Sequence, residues 1–83
     1  MFEVYILQSV ATGRYYVGST GDLARRLAEH QVGETLATRG RGPWQLVHRE
    51  AFATRAEAVR RERAIKAKKS AASIRRLLCD RAG

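Results

Sequence analysis

Two short runs at the start of the chain, Phe2 to Ser9 and Tyr15 to Ser19, constrain the fold more than any other feature. Both are rich in β-branched and aromatic residues. Between them Ala11-Thr12-Gly13-Arg14 offers a turn in which Gly13 can adopt a positive φ. The pattern predicts a β-hairpin, and a hairpin alone is not stable: something must pair with it and cover it. The next segment supplies a first cover. Asp22, or Thr20 if the helix starts earlier, can cap a helix whose apolar stripe is Leu23, Ala24, Leu27 and Ala28; it should run to about Gln31 and stop at Gly33.

Residues 33–43, GETLATRGRGP, read as a loop, and Trp44 to Phe52 reads as a third strand. Thr54-Arg55-Ala56-Glu57 has the form of a capping box, in which hydroxyl and carboxylate reciprocally satisfy backbone N–H groups. A second helix should follow from Thr54 to about Lys68. Ser70 or Ser73 can cap a short third one carrying Ile74, Leu77 and Leu78 and ending before Gly83. The expected order is β-β-α-β-α-α, an α+β arrangement with a small, mostly antiparallel three-stranded sheet flanked by helices.

Eighty-three residues leave room for one domain with a modest core. The single Cys79 excludes an internal disulfide or a Cys-based zinc site, and is expected to be a small apolar filler. The start of the chain is too short in apolar residues to span a membrane and lacks a basic leader, so a soluble, cytoplasmic protein is expected. The formal charge of +8 is unevenly spread: residues 51–83 carry ten basic and three acidic side chains. A basic face suits a polyanion such as DNA or RNA, and equally an ordinary solvated surface.

Helix geometry then separates residues that look alike. At about 100° per residue from Leu23, Leu27 falls near 40°, His30 near 340°, Arg26 near 300° and Arg25 near 200°. Arg26 and His30 therefore flank the apolar stripe and Arg25 faces out. An arginine so placed ordinarily snorkels over the core edge, and a histidine is ordinarily a satisfied core-edge group. The same construction puts Glu62 in the middle of the expected buried face of the second helix, where a carboxylate must be paired or bind a cation; Lys66, four residues on, is the plain partner. In the hairpin, alternation sets Tyr5 beside Glu3 and Leu7, and Tyr16 beside Gly18. The two tyrosines become near neighbours, with a gap at Gly18 that a ligand or backbone could enter.

In this order the residues resemble the GIY-YIG nuclease family, and its small single-domain members in particular. Glu3-Val4-Tyr5 corresponds to the first motif and Tyr16-Val17-Gly18 to the second, with Arg26, His30 and Glu62 at fitting spacings. Arg41-Gly42-Pro43-Trp44 also resembles a stretch in the nuclease subunit of structure-selective junction endonucleases. The resemblance runs along nearly the whole chain and implies one catalytic-type domain over residues 1–83. It implies a metal-dependent endonuclease that hydrolyses phosphodiester bonds in DNA, structure-selective or weakly specific, with a role in DNA repair or recombination.

On that resemblance Tyr5, Tyr16, Arg26, His30 and Glu62 are catalytic. Gly18, Thr38, Arg39, Arg41 and Lys66 meet substrate phosphate, and Glu62 holds one divalent ion, Mg²⁺ or Mn²⁺. One carboxylate is adequate for such an ion when water and phosphate complete its shell. Arg26 would offset charge on the scissile phosphate. The base is Tyr16, Tyr5 or His30, with Tyr16 preferred.

Two departures stand out: Glu3 replaces the glycine of the first motif, and the family's late asparagine has no counterpart, because the chain contains none. The expected partners are DNA, branched or damaged DNA included, and a protein that supplies specificity or, for a silent nuclease subunit, one that activates it by docking on an apolar patch around Trp44; no membrane is expected. Without a further DNA-binding domain, positioning would fall to that partner, to the Thr38 to Arg41 loop or to Arg60, Arg61, Lys68, Lys69, Arg75 and Arg76. Two alternatives stay open, a catalytically weak nucleic-acid-binding module and a nuclease subunit activated by a partner.

Overall fold

A computed structural model describes residues 1–31, 43–67 and 71–82. Its elements are β1 (Phe2–Ser9), β2 (Tyr15–Thr20), α1 (Leu23–Gln31), β3 (Trp44–Phe52), α2 (Arg55–Ala67) and α3 (Ala71–Ala82), the expected β-β-α-β-α-α order. The sheet order is β2-β1-β3, and both pairings are antiparallel. β1 takes the centre because Val4, Tyr5, Ile6 and Leu7 are all buried, two on each face; a strand apolar on both sides needs cover above and below.

The hairpin closes as its composition predicts. Gly13 has φ 76°, its N–H donates to the Ser9 carbonyl at 2.8 Å, and the Ser9 N–H donates to the Arg14 carbonyl at 2.9 Å. Asp22 is the cap of α1, its Oδ1 accepting the Arg25 N–H at 3.1 Å, while Thr20 Oγ1 accepts the Asp22 N–H. At α2 the Glu57 N–H donates to Thr54 Oγ1 at 3.2 Å, as a capping box requires. The second half differs: the Glu57 carboxylate accepts the Thr54 hydroxyl at 3.0 Å.

Each face of the sheet has its own cover. On one, Val4, Ile6 and Val17 pack with Ala58 and Ile65 of α2 and Ile74 of α3. On the other, Tyr5, Leu7 and Trp44 pack with Tyr16 and with Leu23 and Leu27 of α1. Gln31 fastens the far end of α1 to the start of β3, accepting the Trp44 N–H at 2.9 Å and donating to the Trp44 carbonyl. A register shift opposite Ile6 and Leu7 leaves Val47 as an extra residue in β3, a bulge at the sheet edge.

Three expectations are corrected. Trp44 is only 5 % exposed beneath α1, so it offers no apolar docking patch. Cys79 is exposed on α3 and fills nothing. Ser73 lies inside α3 and does not cap it, while Ser70 is outside the described residues. Among the described residues no helix is long and apolar enough to cross a membrane.

Candidate active site

α1 and α2 lie on opposite faces, and their polar side chains approach each other around β2, the edge strand. The register pairs Tyr5 with Gly18 and Leu7 with Tyr16, so the two tyrosines are diagonal neighbours on the α1 face with ring centroids 6.3 Å apart. His30 completes the group. Its Nε2 lies 3.0 Å from the Tyr5 hydroxyl, and its ring stands 4.8 Å from that of Tyr16. His30 is only 1 % exposed, deeper than the core edge the helical wheel suggests, because it sits where α1 crosses the Tyr5–Tyr16 diagonal.

The gap expected at Gly18 is filled from within. A Cβ there would stand 2.6 Å from the Tyr5 hydroxyl oxygen, 2.8 Å from Tyr5 Cζ and 3.2 Å from Tyr16 Cε1. Gly18 thus makes room for the Tyr5 ring, which occupies the space the sequence suggests for a ligand. Burial pushes the Tyr5 hydroxyl up to about 12 even though Arg26 pulls the other way. Burial, then the Arg26 charge, holds His30 below its ordinary value, leaving a neutral imidazole at neutral pH. With its proton on Nδ1, that imidazole accepts the Tyr5 hydroxyl proton through Nε2.

Arg26 is partly exposed and Arg25 faces solvent, as helical geometry predicts. Both meet Glu29, Arg26 Nη1 at 2.8 Å and Arg25 Nε at 3.2 Å. The Glu29 carboxylate, followed by the Tyr5 hydroxyl, raises the Arg26 pKa and keeps the guanidinium firmly charged. Arg26, Arg25 and Glu29 line a polar cleft of about 360 Å³ together with Ser19, Gly21 and Arg55.

Glu62 comes from α2. Its side chain is 19 % exposed and flanks the buried stripe of Ala58 and Ile65, off the centre expected of it because α2 turns it toward the β2 edge. The Ser19 hydroxyl donates to Oε1 at 2.6 Å, and the Lys66 ammonium donates to Oε2 at 2.5 Å. Burial alone would raise its carboxyl pKa. The bonds from Lys66 and Ser19 and the charges of Lys66 and Arg63 outweigh that and hold it below the ordinary range. Its charge in turn contributes to raising the Tyr5 pKa around the strand edge.

Could Glu62 hold a divalent ion? Among the described residues no group of three or more His, Cys, Asp or Glu is arranged for a metal, so substrate and water would have to supply most ligands. The carboxylate is ionised, one oxygen is fixed by Ser19, and a cation already sits against the other. That donor set fits a hard ion bound by one carboxylate.

Thr38, Arg39, Arg41, Lys68 and Lys69 lie outside the described residues. Arg61 is turned to β3, where its Nε and Nη2 reach the two oxygens of Glu50 at 2.9 and 3.1 Å. Glu3 accepts from Arg49 Nη2 at 3.2 Å through Oε1, and its buried Oε2 has no hydrogen-bond partner among the described residues.

Sequence reasoning missed Ser19 and Glu29. Alternation could have found the first, because Ser19 shares the Val17 face that α2 covers. The i,i+3 and i,i+4 spacings to the two arginines could have found the second.

The family described as GIY-YIG catalytic domain matches residues 1–75. A UPF0213 protein of Halobacterium salinarum is 46% identical over 67 residues, covering 80% of this chain and 86% of that protein. One from Natronomonas pharaonis is 44% identical over 81 residues, covering 96% and 93%. The solution NMR structure of a UPF0213 protein from Bacillus halodurans superposes with a TM-score of 0.63 at 38% identity, over 100% of this chain and 88% of that one. With the motif residues gathered at one strand edge and the match running through both helices that carry them, the chain belongs to the GIY-YIG family, a nuclease-type catalytic domain whose substrate is nucleic acid.

Proposed function

We propose that the protein is a metal-dependent endonuclease that hydrolyses phosphodiester bonds in DNA, selecting structure more than sequence and serving repair or recombination. The observation that carries this reading is the gathering of Tyr5, Tyr16, His30 and Arg26 on one side of β2 and an ionised Glu62 on the other, with Ser19 and Arg26 in one cleft. A mere binding surface has no use for a half-buried carboxylate.

In this mechanism Arg26 takes a non-bridging oxygen of the scissile phosphate and offsets the charge that grows there. Glu29 and Tyr5 fix the guanidinium plane for that contact. Tyr16, having first released its own hydroxyl proton to solvent, accepts a proton from the attacking water. Tyr5 is the poorer candidate because its hydroxyl is buried against His30 and pushed up to about 12. The Tyr5–His30 pair then orients the water. A divalent ion held by Glu62 would supply Lewis-acid stabilisation of the leaving oxygen.

The test is nicking of supercoiled plasmid in Mg²⁺ or Mn²⁺ by wild type, Glu62→Gln, Arg26→Ala, Tyr16→Phe and Tyr5→Phe. Wild type should cut, and the first three variants should lose about a hundredfold or more while still binding DNA. Tyr5→Phe should lose less than Tyr16→Phe. If wild type and all variants bind alike and none cuts plasmid, junctions or flaps, the protein is a binding module.

A further inference from the structure

The two donors on Glu62 are unlike each other. Ser19 projects a hydroxyl from a strand on a side chain of two heavy atoms, so its one rotatable bond gives it few positions other than the one that donates to Oε1. Lys66 reaches Oε2 from one helical turn away on a flexible four-carbon stem whose side chain is 45% exposed, so its ammonium can leave for water at little cost. A carboxylate this enclosed is unfavourable without a cation, and the ammonium supplies one in the free protein. A divalent ion seeks the same oxygen lone pairs, and two cations cannot share one carboxylate oxygen without strong repulsion.

Resting on the reading of Glu62 as the metal ligand, we propose that Lys66 is an internal counter-ion at Oε2 that a divalent ion must displace. Ser19 is the positioning residue that keeps the carboxylate aimed throughout. Displacement leaves the ammonium one turn from the ion with nothing to pair with, where a DNA phosphate is its natural next partner. Metal binding and substrate binding are thereby coupled through one side chain.

Mn²⁺ binding to the full chain without DNA, followed by water-proton relaxation, tests this. Lys66→Met should lower the half-saturating Mn²⁺ concentration by roughly two- to fivefold, the strength of a partly exposed ion pair, and Lys66→Gln should do the same. Ser19→Ala should raise it, with Ser19→Thr restoring the wild-type value, and Glu62→Gln should remove the site. If Lys66→Met and Lys66→Gln leave Mn²⁺ binding unchanged or weaker while Glu62→Gln still abolishes it, the counter-ion assignment is overturned and Glu62 keeps its role. Mn²⁺ binding that survives Glu62→Gln, or that is absent from wild type and both Lys66 variants alike, overturns both.

Discussion

Glu50 and Glu62 are two carboxylates with nearly the same exposure, 17% and 19%, on or against the same helix, and both are held below the ordinary carboxylate range. They differ in what holds them. Glu50 on β3 is gripped by the planar fork of Arg61 at 2.9 and 3.1 Å and by His48 Nε2 at 2.7 Å, where the His48 side chain is only 3% exposed. The partners there are a two-bond guanidinium fork and a buried imidazole. Glu62 is gripped by one short hydroxyl and one loose ammonium. Neither burial nor the direction of a pKa shift therefore tells structural from functional carboxylates here; the number and chemistry of the partners' bonds do, three from a guanidinium and an imidazole against one hydroxyl and one ammonium. The two also cooperate: adjacent residues Arg61 and Glu62 fasten α2 to opposite edge strands, β3 and β2, which fixes the rotation of the helix and hence where Glu62 points.

The sharpest way to break this comparison is to remove each charge in turn. Glu62→Gln should reduce cleavage by about a hundredfold or more, since it removes the metal-holding group, yet change stability by less than about 1 kcal/mol, because its ion pair is partly exposed. Glu50→Gln should do the reverse. Losing charge-assisted bonds to Arg61 and His48 costs about 2 kcal/mol, which for a chain of this size lowers the melting temperature by roughly 10 °C. Cleavage measured well below that temperature should change by less than about threefold. Thermal melts beside plasmid nicking decide it, and a Glu50 variant that melts normally but fails to cut would reverse the roles.

Acid should separate the two next. The folded Glu50 pKa lies below its unfolded value of 4.5, despite burial, because Arg61 and His48 bond the charged form. A depressed pKa contributes stability that is present above the unfolded value and is lost as pH falls through the folded one. Urea midpoints should therefore drop for wild type between about pH 5 and pH 3, and Glu50→Gln should flatten that decline more than Glu62→Gln does, because a bidentate arginine and a buried imidazole both bond its charged form. An equal flattening by both would mean that the loose partner matters as much as the rigid one.

The sequence carried much of this arrangement, and the exceptions have physical causes. The hairpin, the α1 cap and the third strand were legible because local chemistry decides them: a glycine at positive φ, an aspartate side chain on a backbone N–H, a β-branched run. Arg26 and His30 were legible because a helix fixes relative angles. Which strand of the hairpin the third strand joins was not, since the free edge of β1 and that of β2 would both satisfy its alternation. The Glu50–Arg61–His48 anchor was hidden for the same reason: it links β3 to α2, and only the sheet order brings them together. Gly18 was read half correctly. Its missing side chain does make space, but register gives that space to Tyr5, and register follows from the pairing of whole strands.

The smallest effect bears most directly on why Glu62 sits where it does. Ser19 is to Glu62 what His48 is to Glu50, a neighbour that fixes one oxygen while a longer basic side chain takes charge of the carboxylate. Ser19→Ala removes one hydrogen bond at a half-buried position, worth about 1 kcal/mol, and should move the melting temperature by only a few degrees. Cleavage should fall by about five- to tenfold, close to what that same energy gives when it is lost from the aim of a single group. Ser19→Thr, which keeps the hydroxyl and suits a strand, should restore it. A full loss of stability without a change in cleavage would make Ser19 another anchor of α2, and the division between a rigid carboxylate and a poised one would then rest on Lys66 alone.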